Sequence, residues 1–182
     1  MSTPPVEVRR VALDDPLTEP LVRELTEEYV TRYGPGGRQE MARYSAAEFT
    51  PPHGLLLLLL EGGTPVAGGA FRRYDESTAE VKRMWTHSAH RRRGLARRVL
   101  AELEAAAAAA GYRRIHLTTG PRQPEAKGLY LATGYTPLFD PAADPAPALG
   151  PLPFEKDLTA HLAAHATAHL AAHATAHLTA HH

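Results

Sequence analysis

From Val6 to Leu13 apolar and charged residues alternate loosely, which predicts a first strand. A helix follows, with Thr18 as its expected cap, Pro20 in its first turn and an apolar stripe at Leu21, Val22, Leu25, Tyr29 and Val30. Gly34-Pro35-Gly36-Gly37 ends it, and the stretch through Pro51 and Pro52 reads as loop with room for a short helix. Gly54–Glu61 is apolar at every position but the last, so a second strand is expected there, buried on both faces and central. Gly62-Gly63-Thr64-Pro65 predicts a hairpin turn into a third strand, Val66–Tyr74. A turn at Asp75–Ser77 then leads to a fourth, Thr78–Thr86.

Leu95–Ala110 is rich in Ala, Leu, Arg and Glu and predicts a long helix with Leu95, Val99, Leu100 and Leu103 inward and Gly111 as its stop. Arg113–Thr119 reads as a fifth strand, and Pro124 opens a short helix to about Thr133, ended by Gly134. Tyr135–Leu138 and Phe154–Leu158 are candidates for the last strands. The order β-α-β-β-β-α-β-α-β places the chain in the α/β class, a mixed sheet with helices packed on it.

The pattern breaks at His161. HLAAHATA occurs twice and is followed by HLTAHH, which places seven of the eleven histidines in this tail and leaves no charged side chain after Asp157. Leu162, Leu170 and Leu178 drift by ~80° around a helix per repeat, so they make no continuous stripe. The expected organisation is therefore one domain over residues 1–158 and an Ala/His-rich tail over 159–182. Its i,i+4 histidines have the spacing of a helical metal pair, but no carboxylate or third ligand accompanies them, and no metal requirement is expected.

Composition narrows the function. Twenty basic and twenty acidic residues cancel, aromatics are 7% and no reader motif is present, which argues against nucleic acid as the partner. The absence of cysteine excludes disulfides, thiolate metal sites and a cysteine nucleophile. No apolar run approaches a membrane span, the six leucines Leu55–Leu60 stopping at Glu61, and the first ten residues lack an apolar signal core. A cytoplasmic protein with no membrane partner is expected.

Charge becomes local between Val81 and Arg98, where seven Lys or Arg and no Asp or Glu occur. Arg91-Arg92-Arg93-Gly94-Leu95-Ala96 lies between the expected fourth strand and the long helix. Small residues there allow close approach, and free N–H groups at a helix start suit a phosphate. Neither GxxxxGK[ST] nor GxGxxG is present, so this is neither a Walker A loop nor a dinucleotide fingerprint. A solvated basic face is the competing reading.

The loop resembles the acetyl-CoA loop Q/R-x-x-G-x-G/A of the GNAT superfamily of N-acetyltransferases. A second segment, Gln123 to Tyr135, resembles that family's N-x-x-A-x-x-L-Y-x-x-x-G-F, with Gln123 for the usual Asn and Tyr135 for Phe. The likeness spans about residues 5–158. It implies the acyl-CoA N-acyltransferase fold, in which the fourth strand splays from the next parallel strand and acetyl-CoA lies in the V. Backbone N–H groups of Arg92, Arg93, Gly94, Leu95 and Ala96, within the loop that Arg91 opens, would then hold the pyrophosphate. Backbone groups at Met84, Trp85 and Thr86 would pair with the pantetheine arm, and Gln123 stands where the family's Asn contacts coenzyme A or its loop.

The resemblance also implies a direct transfer of acetyl to a primary amine of a small molecule or peptide, and it leaves room for a homodimer. Tyr130 matches the tyrosine that protonates the departing thiolate; its other reading is a core tyrosine. Glu80 matches the strand glutamate used as general base in some relatives; its other reading is an edge carboxylate paired with Lys82 or Arg113. His87, His90 and His116 are further candidate bases. Glu27, Glu28, Tyr29, Tyr33 and Tyr44 lie near where relatives build the acceptor site. A non-catalytic acyl-CoA-binding module on the same fold is the alternative.

Overall fold

The computed structural model describes residues 4–143, 150–163 and 167. Seven strands form one sheet in the order β1-β2-β3-β4-β5-β7-β6. They are β1 (Val6–Val11), β2 (Leu55–Glu61), β3 (Thr64–Arg73), β4 (Thr78–Thr86), β5 (Arg114–Thr119), β6 (Thr136–Pro137) and β7 (Leu152–Asp157). The helices are α1 (Glu19–Tyr33), α2 (Gly37–Ala42), α3 (Leu95–Ala109) and α4 (Pro124–Ala132). The α/β class and the mixed sheet match the expectation from the sequence.

The six leucines of β2 hold the layers together. Leu55, Leu57 and Leu59 join the core under α3, with Val99, Leu100, Leu103 and Phe154. Leu56, Leu58 and Leu60 join the opposite core under α1, with Leu21, Leu25, Phe49 and Trp85. Strand alternation sends successive side chains to opposite faces, so an unbroken apolar run is what a strand covered on both sides requires. The β2–β3 connection is tighter than expected. Only Gly62 and Gly63 turn, at φ 56° and 79°, and Thr64 and Pro65 already belong to β3. Two consecutive positive φ values define the hairpin turn that matches strand twist.

Three expectations change. Thr18 stands at the start of α1 but does not cap it, because its hydroxyl donates to the carbonyls of Leu13 (2.8 Å) and Asp15 (2.7 Å). The capping carboxylate is Asp15, which accepts from Leu17 N at 2.9 Å in the short turn before α1. Val22 is 36% exposed and leaves the α1 stripe, whose buried members are Leu21 and Leu25. After Leu158 the chain turns helically over 159–163, with Leu162 against the core and His161 Nε2 3.3 Å from the buried Glu104. The other histidines of the tail lie outside the described residues.

β4 positions the site. It pairs with β5 in parallel only from Thr78–Arg114 to Glu80–His116, and beyond that the strands separate. On its other side β4 pairs with β3, but Ala70 faces Lys82 and Gly68 faces Trp85, so β4 carries one extra residue there. Arg83 sits in this bulge with φ 60°. Gly69 lies opposite it. A Cβ there would come within 2.9 Å of both Met84 Sδ and Val99 Cγ1, so glycine lets α3 and β4 close over β3.

Candidate active site

Two clefts open where β4 leaves β5. One, of about 520 Å³, is lined by Met84, Trp85 and Thr86 of β4, by Arg91, Arg92, Gly94, Leu95, Ala96 and Arg97 of the loop and α3, and by α4. The second, of about 410 Å³, lies between β4, α1–α2 and the β5–α4 turn. Both are lined by Met84, Gln123, Ala126 and Tyr130, so they meet at these four residues.

The loop side of the first cleft carries donors and cations that suit an anion. Gly94 begins α3 in the left-handed region, φ 73°, and a Cβ there would meet nothing within 4 Å. Arg92 is also left-handed, φ 62°. The first backbone donor of the segment bonded to the chain is Arg98 N, to Gly94 O at 3.1 Å; among the described residues none from Arg91 to Arg97 is. Unpaired N–H groups at the positive end of a fifteen-residue helix attract phosphate. Arg91, Arg92 and Arg97 line the cleft and meet no carboxylate among the described residues. Arg93 is different. Its guanidinium pairs with Glu61 and contacts His90 Nδ1 at 2.8 Å, so its side chain braces the loop against β2.

Trp85 also has a side-chain role. Its ring is buried, and Nε1 donates to Glu24 Oε1 at 3.0 Å. Ser88 donates to the same carboxylate from its backbone N (3.1 Å) and its hydroxyl (2.6 Å). Burial alone would raise the Glu24 carboxyl, but these bonds outweigh it and hold it below the ordinary range. Glu24 thereby fixes the end of β4 and the turn before the loop to α1, a link the sequence did not announce.

Pro124 opens α4 as expected, and Gln123 just before it accepts at Oε1 from Gly120 N at 2.9 Å and from the Thr119 hydroxyl at 3.3 Å. A longer amide in place of Asn therefore still ties the β5–α4 turn. Tyr130 is 5% exposed, its ring 5.6 Å from that of Tyr135 and 5.5 Å from that of Phe154. Its hydroxyl bonds to none of the described residues, and burial raises its pKa above the ordinary phenol value, so it stays protonated.

The remaining candidates separate. Tyr29 and Tyr33 line the second cleft. Glu28 lines the first, 3.1 Å from Arg32, and Glu27 lines only an outer groove. Tyr44 lines neither; Arg72 lies 4.5 Å and Lys82 5.0 Å from its ring centre. Glu80 is 5% exposed and lines neither cleft. It accepts from Arg72 Nη1 at 2.9 Å, with Lys82 Nζ at 3.8 Å and His116 Nε2 at 4.0 Å, so of the two partners expected from the sequence it has Lys82 and not Arg113. His87, His90 and His116 line neither cleft; His87 Nδ1 accepts from Ala89 N, and His116 stacks on Tyr74. The charged groups that line the second cleft are Glu40, Lys82 and Arg83, none of them marked by the sequence as a site residue.

A sheet splayed between two parallel strands, with a phosphate-type loop on one side and a second cleft meeting it, defines an acyl-CoA-dependent transferase fold. The profile of the acetyltransferase (GNAT) family matches residues 19–135, and the chain belongs to that family. A Klebsiella pneumoniae protein described as an acyl-CoA N-acyltransferase is 25% identical and superposes with TM-score 0.64 over 84% of this chain and 97% of that one. The PaiA N-acetyltransferase of Thermoplasma acidophilum, solved with coenzyme A, is 16% identical, with TM-score 0.63 over 86% and 99%. Aminoglycoside 6'-acetyltransferase type Ii is 17% identical, with TM-score 0.62 over 84% and 97%. No curated protein matches the sequence. Among the described residues no helix is long and apolar enough to cross a membrane.

Proposed function

We propose that this chain is an acetyl-CoA-dependent N-acetyltransferase that moves acetyl directly to a primary amine while both substrates are bound. The observation that carries the reading is the meeting of the two clefts at Met84, Gln123, Ala126 and Tyr130. One cleft has the unpaired N–H run and the cationic side chains that suit a pyrophosphate; the other is free for an acceptor. Bound acetyl-CoA supplies an activated acetyl thioester. The chain's own part is to hold the diphosphate at Arg92–Ala96 and the arm along Met84, Trp85 and Thr86. β4 has no β5 partner there, so it can offer backbone donors to the thioester oxygen.

The amine nitrogen bonds to the acetyl carbon, the carbon–sulfur bond breaks, the sulfur takes the Tyr130 proton, and Tyr130 regains a proton from solvent. Tyr130 is suited to this because it is protonated at neutral pH and unengaged by the described residues. Glu80 lines neither cleft, so the amine's proton leaves by solvent in this reading. The catalytic domain is proposed as the body to Leu158, with the Ala/His-rich tail as an appendage, and the reaction needs no metal.

The test is thiol release from acetyl-CoA with a panel of amines, amino acids, aminoglycosides and peptides, with the acetylated acceptor identified by mass spectrometry. Thermal stabilisation by coenzyme A without thiol release to any acceptor would support the alternative, a non-catalytic acyl-CoA-binding module.

A further inference from the structure

The charged side chains that line the acceptor cleft are Glu40, Lys82 and Arg83. Two cations face one anion, and the anion is shared, because Glu40 lies 3.9 Å from Lys82 and 3.6 Å from Arg43. Arg83 is the unusual member. The residue is 4% exposed, and among the described residues no carboxylate lies within 4.0 Å of its guanidinium. Its partners are neutral. Nη2 donates to Met41 O at 2.8 Å and Glu40 O at 3.4 Å, and Nη1 to Glu40 O at 3.5 Å and Met41 Sδ at 3.2 Å. Nε donates to nothing described. Among the described residues no sealed side-chain nitrogen or oxygen lacks a partner, so Nε is not sealed off, and Arg83 lines the cleft.

A guanidinium taken from water without a counter-ion is costly, and carbonyl dipoles offset the cost only in part. An anion supplied by the acceptor would complete the set, and a planar carboxylate fits the guanidinium edge best. Resting on the N-acetyltransferase reading, we propose that the acceptor is a small amine that carries a carboxylate, of the amino-acid type, and that Arg83 binds that carboxylate. Polyamines and aminoglycosides, with several ammonium groups, meet net positive charge in this cleft. The same charge favours loss of the proton from the acceptor's ammonium, which is what attack requires.

The experiment compares amino acids with the amines that lack only the carboxylate, such as phenylalanine with phenethylamine, lysine with cadaverine and glycine with methylamine. kcat/KM for acetylation and calorimetric binding to the coenzyme A-loaded protein are both measured. At least one amino acid is expected to exceed its partner about tenfold or more in both. In Arg83→Gln that preference should fall to within about threefold, while coenzyme A affinity is kept and Arg83→Lys retains part of it. A preference for the decarboxylated amines, or one that survives in folded Arg83→Gln, overturns the proposal. If Arg83→Gln does not fold, the paired ligands on the wild-type protein and on Arg83→Lys decide. Carboxylate-dependent binding without acetyl transfer would sustain the Arg83 assignment and remove the transferase reading. Binding by neither class removes the Arg83 assignment.

Discussion

Replacing Tyr130 by Phe removes one oxygen from the residue at which the clefts meet. The ring packs against Tyr135 and Phe154 and is 5% exposed, and Phe keeps that packing. Because the hydroxyl bonds to none of the described residues, its loss should change folding stability by less than about 1 kcal/mol. If the phenol is the proton donor to the leaving thiolate, its loss should lower kcat by ~10²–10⁴-fold. That is ~3–5 kcal/mol of barrier. KM for acetyl-CoA should stay within about threefold, since in this reading backbone groups that the substitution leaves in place hold the diphosphate and the arm. Burial raises the Tyr130 pKa above the usual phenol, so the wild-type rate should show no decline assignable to this group below pH ~10. The assay is steady-state thiol release from pH 7 to 9.5 on both proteins, with melting temperature as the folding control. A kcat within threefold of wild type in a folded variant would return Tyr130 to a packing role.

Gly94→Asp puts a side chain on a backbone at φ 73° and a negative charge at the start of α3, so coenzyme A should bind at least tenfold more weakly by calorimetry. An affinity within a few-fold of wild type would contradict the loop assignment. Burial raises the pKa of both Tyr130 and Tyr135, so the unfolded state loses these protons first as pH rises. Their contribution is intact below the unfolded phenol value of ~10 and declines above it, and denaturant titrations from pH 8 to 11 should show stability falling only in that upper window. Deleting residues 161–182 should leave kcat/KM within about threefold, because both clefts are lined by residues up to Pro151. The same deletion should lower the melting temperature slightly, since Leu162 and His161 contact the body, with a cost of about 1 kcal/mol.

The fold was legible wherever periodicity and punctuation agreed. The leucine run could only be a strand covered on both faces, and β2 is buried on both. Gly111 and Gly134, at φ 96° and 88°, follow α3 and α4 as expected, because a left-handed position after a helix selects glycine. The turn into α3 was legible because its backbone geometry leaves a compositional trace in Gly94, at φ 73°. Side-chain partnerships left none. Glu24 reaches across 61 residues to Trp85, and Arg72 crosses from β3 to Glu80, and neither spacing is local enough to read. Thr18 misled because a hydroxyl at a helix start can equally bond backward, here to Leu13 and Asp15.

Arg83 shows why the second cleft was harder to read than the first. By simple alternation Ala79, Val81, Arg83 and Trp85 share one face of β4, and an arginine there would enter the core beneath α3. Instead Ala79, Val81 and Met84 pack with that core, while Trp85 joins the opposite one. The single extra residue between Lys82 and Trp85 reverses the parity, and Arg83 meets the carbonyls at the end of α2. No residue type at the bulge announces it, since the strained φ of 60° falls on an arginine rather than a glycine. Its counterpart is on the neighbouring strand, where Gly68 and Gly69 leave room for the side chains of Leu58 and Met84. The bulge therefore does two things at once. It places Met84 at the junction of the clefts, and it brings a cation beside that junction, so the feature that shapes the first cleft also sets the charge of the second.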